Sequence, residues 1–221
     1  MSRPGCTREL TRPRGLLLDA MGTLFGLREP VGLTYARLAS NHGISVAPEA
    51  VEQGFRKAYG QAPPLAFPGL DETALQAAEL AWWGERIRSS LIAAGGEGCD
   101  PPPALVAQLY AHYAEAGAWL VYPDVHERME RWGRAGLRLA VVSNFDSRLD
   151  GLLEALELRR WLMAVVVSSR AGAAKPSAVP FHQALVQIEL SADEVWHVGD
   201  SPEDVAGARA AGMACVLVRR S

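Results

Sequence analysis

This 221-residue chain has only three cysteines, Cys6, Cys99 and Cys215, far apart and without a Cys-x-x-Cys pair. That spacing supports neither a disulfide framework nor a zinc site, and it fits a reducing, cytoplasmic setting. No apolar run reaches the roughly 18 to 20 residues that cross a bilayer, so no membrane partner is expected. Basic charge is not in excess: the formal net charge is -3, which offers nucleic acid or an anionic surface no general attraction. Lysine is scarce, with Lys57 and Lys175 alone among 22 basic side chains. Internal repeats and low-complexity tracts are missing as well.

What the chain does contain is a set of short apolar runs that end in polar residues. Leu16 to Leu18 stop at Asp19, followed by Ala20-Met21-Gly22-Thr23-Leu24. Such a run bounded by a turn reads as a buried strand, which places Asp19 at a carboxyl end, where open α/β sheets bind ligands. Val195 to Val198 run into Gly199-Asp200 in the same way. Leu139 to Val142 before Ser143-Asn144, Ala164 to Val167 before Ser168-Ser169, and Cys215 to Val218 bring the expected strands to five. Amphipathic helices alternate with them from Leu137 onward, the pattern of βαβ units and a doubly wound parallel sheet. Right-handed crossovers put all carboxyl ends on one edge, so Asp19, Ser143, Asn144 and Asp200 can converge.

Two carboxylates at such ends can share a divalent cation or a phosphoryl group; the bland reading is that each caps the helix after it. Helix capping is also the bland reading of Ser143 and Asn144. Punctuation elsewhere is clear. Ser201, Pro202, Asp204 and Gly212 supply an N-cap, a first-turn proline, a first-turn acid and a terminal glycine, and Ser191 with Glu194 forms a capping box.

The length exceeds one average domain and falls short of two, which suggests a core with an insertion. Residues 1–14 read as a flexible tail, 15–29 and 120–221 as the α/β core, and 30–119 as a helical insertion with no evident buried strand. Gly60 to Gly69 and Gly95 to Pro103 break its helices. Trp82, Trp83, Tyr110, Tyr113 and Trp119 are expected to fill its interior or its seam with the core.

Four ordered segments, Asp19-Ala20-Met21-Gly22-Thr23, Ser143-Asn144, Lys175-Pro176 and Gly199-Asp200 with Asp204, resemble the haloacid dehalogenase superfamily of hydrolases. The resemblance covers Gly15 to Val218, and the insertion matches the placement of that superfamily's first cap type. It implies a Rossmann-like core with an α-helical cap, and Asp19 as a nucleophile that forms a covalent acyl or aspartyl-phosphate intermediate. It also implies Lys175 as catalytic partner and substrate-binding group, and Ser143 as phosphate-binding hydroxyl with Asn144 beside it. Magnesium is expected on the Asp19 carboxylate, the main-chain carbonyl of Met21, Asp200, and Asp204 directly or through water. The chemistry is consistent. A carboxylate is a weak nucleophile that needs an electrophile held in line and cations to offset its charge, and partly hydrated oxygen ligands suit Mg²⁺. A compact ammonium at position 175 approaches phosphate and nucleophile together as a guanidinium does not.

The implied activity is hydrolysis of a small phosphorylated compound, with one departure. Most phosphatases of the superfamily place a second aspartate two residues after the nucleophile as general acid and base; here that residue is Met21. A thioether transfers no proton, and loss of a positioned acid or base costs ~10²- to 10⁴-fold. Acyl or aryl phosphates, whose leaving oxygen departs unprotonated, then become the better substrates. Asp-x-Met-Gly-Thr also resembles the Asp-x-Tyr-Gly-Thr of metal-free 2-haloacid dehalogenases, against which Asp200 and Asp204 argue. Phosphonate cleavage is a variant within the same resemblance that uses a Schiff-base lysine of the cap, for which Lys57 is the available residue. Beside Phe55 and Tyr59 on an amphipathic helix, however, Lys57 reads as a solvated side chain. A catalytically reduced binding or regulatory protein is the reading outside enzymes.

Overall fold

The computed structural model describes residues 12–220 apart from residue 96; most of the expected tail, Cys6 included, lies outside them. The chain runs through β1 (Gly15–Leu18), β2 (Phe25–Leu27), α1 (Val31–Ser40), α2 (Pro48–Gly60), α3 (Glu72–Gly95), α4 (Pro103–His112) and β3 (Trp119–Val121). It continues through α5 (Val125–Arg134), β4 (Arg138–Ser143), α6 (Arg148–Ala155), β5 (Ala164–Val167) and the short α7 (Ser168–Ala171). The last elements are α8 (Val179–Ile188), β6 (Val195–Gly199), α9 (Pro202–Ala210) and β7 (Ala214–Leu217).

Five strands form one sheet in the order β5-β4-β1-β6-β7, every pairing parallel. The protein is thus an α/β fold with a doubly wound parallel sheet, and all five expected strands are present within a residue or two of their expected ends. Leu17 pairs with Ala140 on one side and His197 on the other. Because helices cover both faces, the strands are apolar on both. Leu16, Leu18, Leu139 and Val141 pack with Met129, Leu149 and Leu153 on one face. On the opposite face, Leu17, Ala140 and Val142 pack with Phe181, Leu185 and Ile188. Chain order reverses direction across β1, so the crevice between the ends of β1 and β6 is the topological switch point of the sheet.

Helices α1 to α4 interrupt this pattern between β2 and β3, and their apolar faces meet in a core of their own around Tyr35, Leu38, Val51, Ile87, Leu91 and Leu105. No helix among the described residues is long and apolar enough to cross a membrane.

Two strands carry no signal in the sequence. β2 and β3 form an antiparallel ribbon with Phe25 opposite Val121 and Leu27 opposite Trp119. At three residues each they are too short to display the period of two that marks a strand in sequence, and each finds its partner more than 90 positions away. Trp119, which the sequence places at the end of the helical segment, instead opens β3. Arg28 reinforces the ribbon: its main-chain N donates to Ala118 O (2.9 Å), and its guanidinium donates to Gly117 O (2.9 Å) and Trp119 O (3.0 Å).

A buried polar seam joins the helical segment to the core. Glu79 of α3, fully buried, accepts the Ser147 main-chain N–H at 2.9 Å and also the Ser147 hydroxyl. One turn on, Trp83 donates its indole N–H to Asp146 Oδ2 at 2.6 Å. Arg148 forks onto the same carboxylate at 2.8 and 2.6 Å, donates to Tyr110 O at 2.5 Å, and lies 3.7 Å over the Tyr110 ring. Hydrogen bonds to charged groups in a buried setting are the strong ones. They fix α3 and α4 against the loop that follows β4.

Candidate active site

Asp19 directly follows β1, and its main-chain N–H donates to Val198 O at 2.9 Å, so the residue is held at the sheet's switch point. Its Oδ1 accepts from Ser143 Oγ at 3.1 Å and from Lys175 Nζ at 2.5 Å. The same ammonium donates to Asp204 Oδ1 at 2.6 Å. Asp19, Ser143, Lys175 and Asp204 are all buried, Asp204 completely. Asn144 does something different from its neighbour. Its side-chain amide accepts the Lys175 main-chain N–H at 2.7 Å and donates to the Lys175 carbonyl at 3.1 Å, which fixes the backbone that delivers the ammonium.

Asp204 is saturated. Oδ1 accepts from Lys175 and from His197 Nε2 (2.8 Å); Oδ2 accepts from the main-chain N–H groups of Asp200 (3.2 Å) and Ser201 (3.1 Å) and from Ser201 Oγ (2.7 Å). Ser201 in turn caps α9, with Pro202 at its first turn. Gly199 permits this packing, since a Cβ there would stand 2.3 Å from the Asp204 carboxyl carbon.

The electrostatics follow from this arrangement. Burial works against the Lys175 ammonium, yet Asp19 and Asp204 outweigh it and hold its pKa above the ordinary lysine value. Burial likewise opposes charge on Asp204, but the bonds from His197, Lys175 and Ser201 keep its carboxyl well below the usual range. Asp200 goes the other way: burial, then the neighbouring Asp19 and Asp204, push it up. Three carboxylates therefore face one ammonium, and one oxygen from each of Asp19, Asp200 and Asp204 lies within 4.8 Å of the others. Hard oxygen donors with surplus negative charge fit a divalent cation such as Mg²⁺. The exposed Asp200 and the Asp19 carboxylate are the open donors, whereas the Asp204 oxygens are already engaged.

The turn after Asp19 is shaped to this cluster. Gly22 adopts φ +84°, and a Cβ there would stand 2.2 Å from Asp200 Oδ2, so only glycine lets the backbone beside Met21 approach that carboxylate.

Above the strand ends opens a cavity of about 720 Å³. Asp19, Met21, Ser143, Asn144, Lys175 and Asp200 are among its lining residues. All five aromatic residues expected at the seam, Trp82, Trp83, Tyr110, Tyr113 and Trp119, also line it, together with Tyr59. Lys57 is exposed on α2 and is not among the lining residues, which leaves a Schiff-base role without support.

Its place in an apolar strand marks His197 as a satisfied core imidazole; it is buried, but only Nε2 is bonded, and Nδ1 has no partner among the described residues. Glu79, Asp146 and Arg148 give no signal in sequence as residues that frame the site. Glu79 and Trp83 share one face of α3 by their i, i+4 spacing, but each bonds to the loop after β4 and not to the other.

An aspartate at the switch point, bridged to Asp204 by a buried lysine and backed by an acidic cluster, is the arrangement of α/β folds that take their ligands at the carboxyl ends of the strands. The chain belongs to the haloacid dehalogenase-like hydrolases, whose family profile matches residues 13–212. It is 37% identical over 210 residues to haloacid dehalogenase-like hydrolase domain-containing protein 3 of Homo sapiens, covering 93% of this chain and 81% of that one. A phosphoglycolate phosphatase of Rhodospirillum rubrum is 37% identical over 119 residues, 52% of this chain and 49% of that protein. Among solved structures, a HAD phosphatase from Thermococcus onnurineus shares the fold with a TM-score of 0.65 at 21% identity, covering 94% of this chain and 86% of that one.

Proposed function

We propose that the protein is a Mg²⁺-dependent phosphohydrolase that transfers the phosphoryl group of a small phosphorylated compound to Asp19 and then to water. The observation that carries this reading is the convergence of Ser143 and Lys175 on Asp19 Oδ1 at 3.1 and 2.5 Å, beside an acidic cluster that suits a cation. Similarity to a phosphoglycolate phosphatase supports phosphatase-type chemistry.

In the first step an Asp19 carboxylate oxygen bonds to phosphorus as the bond to the leaving oxygen breaks. Ser143 Oγ and Lys175 Nζ turn from Asp19 toward the phosphoryl oxygens, where donors placed in advance stabilise the charge of the transition state. Asn144 and Asp204 are positioning residues: one holds the Lys175 backbone, the other its ammonium. Mg²⁺, held by Asp19, Asp200 and the Met21 carbonyl, would neutralise phosphoryl oxygens when bound. Met21 supplies no proton, so esters and anhydrides with good leaving groups are favoured.

The test is hydrolysis of a panel of phosphate esters and acyl phosphates with and without Mg²⁺, with Asp19→Asn as the blank. Metal-dependent turnover, lost in Asp19→Asn and weakened in Asp200→Asn, is the expected result. Chloride release from a 2-haloacid without metal would move the protein to dehalogenase chemistry, and no turnover of any compound would make it a binding protein on a hydrolase fold.

A further inference from the structure

We infer that the preferred substrate is an aryl phosphate: a single phosphoryl group on a flat, apolar, otherwise uncharged leaving group that lies in the aromatic cavity. This rests on the phosphohydrolase reading above and names the substrate class for that site.

Size and lining come first. A volume of about 720 Å³ falls in the range of pockets that enclose drug-sized ligands, far more than a phosphate alone fills. The cavity extends from Asp19 and Lys175 to Tyr35, Ile87 and Leu109 in the interior of the helical segment, all of which are buried. Its wall is built of rings. Tyr59 stacks on Trp83 at 6.1 Å and 28° and on Phe55 at 5.8 Å and 27°, and Trp82 meets Trp83 edge-on at 4.9 Å. Flat faces of this kind accept another flat ring by offset stacking.

Charge provides the second argument. Lys175 and Arg148 are the only Lys or Arg residues among those lining the cavity, and neither is free. Lys175 pairs with Asp19 and Asp204; Arg148 is committed to Asp146 and to the Tyr110 carbonyl. Asp200 is assigned to the cation, and Glu203 adds negative charge to the lining. A second phosphate or a carboxylate on the substrate would be desolvated there without a partner, which disfavours bisphosphates and phosphorylated acids.

Met21 supplies the third. The Asp19 oxygen bonds to phosphorus, the phosphorus–oxygen bond to the ring breaks, and the electron pair leaves as an aryloxide that takes its proton from solvent. Water then adds to phosphorus, the bond to Asp19 breaks, and inorganic phosphate and one proton are released. An aryloxide departs without a general acid far more readily than an alkoxide.

The experiment measures kcat/KM with Mg²⁺ for 1-naphthyl phosphate, phenyl phosphate, acetyl phosphate and phosphoglycolate. The two aryl esters have leaving groups of similar acidity, so a difference between them reads the cavity. The expected result is at least ~10-fold higher kcat/KM for the naphthyl ester than for the phenyl ester, with phosphoglycolate lowest. In parallel, 1-naphthyl phosphate titrated into Asp19→Asn is expected to quench tryptophan fluorescence, with affinity at least ~10-fold lower when Tyr59→Ala is added. Tyr59 is 46% exposed, so its truncation spares the core. Preference for phosphoglycolate or acetyl phosphate overturns the inference and leaves the phosphohydrolase reading standing. Absence of turnover overturns that reading; the fluorescence titration then decides the cavity alone, saturable binding upholding an apolar occupant and no binding removing it.

Discussion

Met21→Asp is expected to convert this site from one that depends on its leaving group into one that assists it. Residue 21 lines the cavity beside Asp19 and Asp200 and is 49% exposed, so a carboxyl side chain is accommodated without disturbing the core. It sits on the turn fixed by Gly22, which keeps its backbone in place. A carboxyl at 21 would stand next to the Asp19 nucleophile at the mouth of the site, where a general acid has to be. A positioned acid contributes ~10²- to 10⁴-fold, or about 3 to 5 kcal/mol of barrier. For an alkyl phosphomonoester the expected gain in kcat/KM, which reads the steps through cleavage of the ester bond and not the later attack of water on Asp19, is therefore at least ~10²-fold, with a new fall in rate on the alkaline side as the acid deprotonates. For 4-nitrophenyl phosphate, whose leaving group needs no proton, the gain stays below ~10-fold. Steady-state kinetics on both esters, with thermal melts to verify folding, make the comparison. Equal gains on the two esters, or none on the alkyl ester in a folded variant, would refute the assignment of the missing proton to position 21.

Other substitutions test the scaffold. Lys175→Met leaves two buried carboxylates, Asp19 and Asp204, without their shared cation, and should cost about 3–5 kcal/mol in metal-free urea unfolding; a loss under ~1 kcal/mol would mean the ammonium is not part of the folded core. Glu79→Ala strands the Ser147 N–H and hydroxyl in a buried seam and should cost about 1–3 kcal/mol by the same measurement. Glu194 has a pKa lowered from 4.5 to about 2, by the Ser191 main chain first, then the Ser191 hydroxyl and Arg14. A depressed carboxyl contributes stability above its unfolded value and loses it as pH falls through the folded one. An NMR titration should place its midpoint near 2 and move it part of the way upward in Ser191→Ala, which keeps the main-chain donor; an unmoved midpoint would remove the Ser191 hydroxyl as a cause.

The parts of this molecule legible in sequence are those whose signals are local. Asp19 and Asp200 stand out because three or four apolar residues stop abruptly at a carboxylate, and that interruption itself marks a strand end. Lys175 stands out because the chain uses arginine at every other basic position but Lys57. Asn144 lies next to a legible residue, yet its partners are main-chain atoms 31 positions away, and no side-chain pattern encodes a backbone partner. Glu79, Asp146 and Arg148 carry no local mark, because the groups that meet them, Ser147, Trp83 and Tyr110, reach them only across the seam between α3, α4 and the loop after β4. The β2–β3 ribbon is hidden for the same reason, its register being set by a pairing across the whole helical segment.

That ribbon also has a mechanical meaning. The helical segment leaves and rejoins the core through two strands bonded to each other, with Arg28 stitched across them. The two crossings cannot drift independently, so the helices are carried on a single neck rather than slung between two tethers. Two separate tethers would leave the helices free to slide and twist; paired strands hold both crossings in one register. Any shift of the helices against the core would have to pull Glu79 and Trp83 off the loop behind Ser143 and Asn144, so access to the cavity and alignment of the groups at its floor are parts of one linkage.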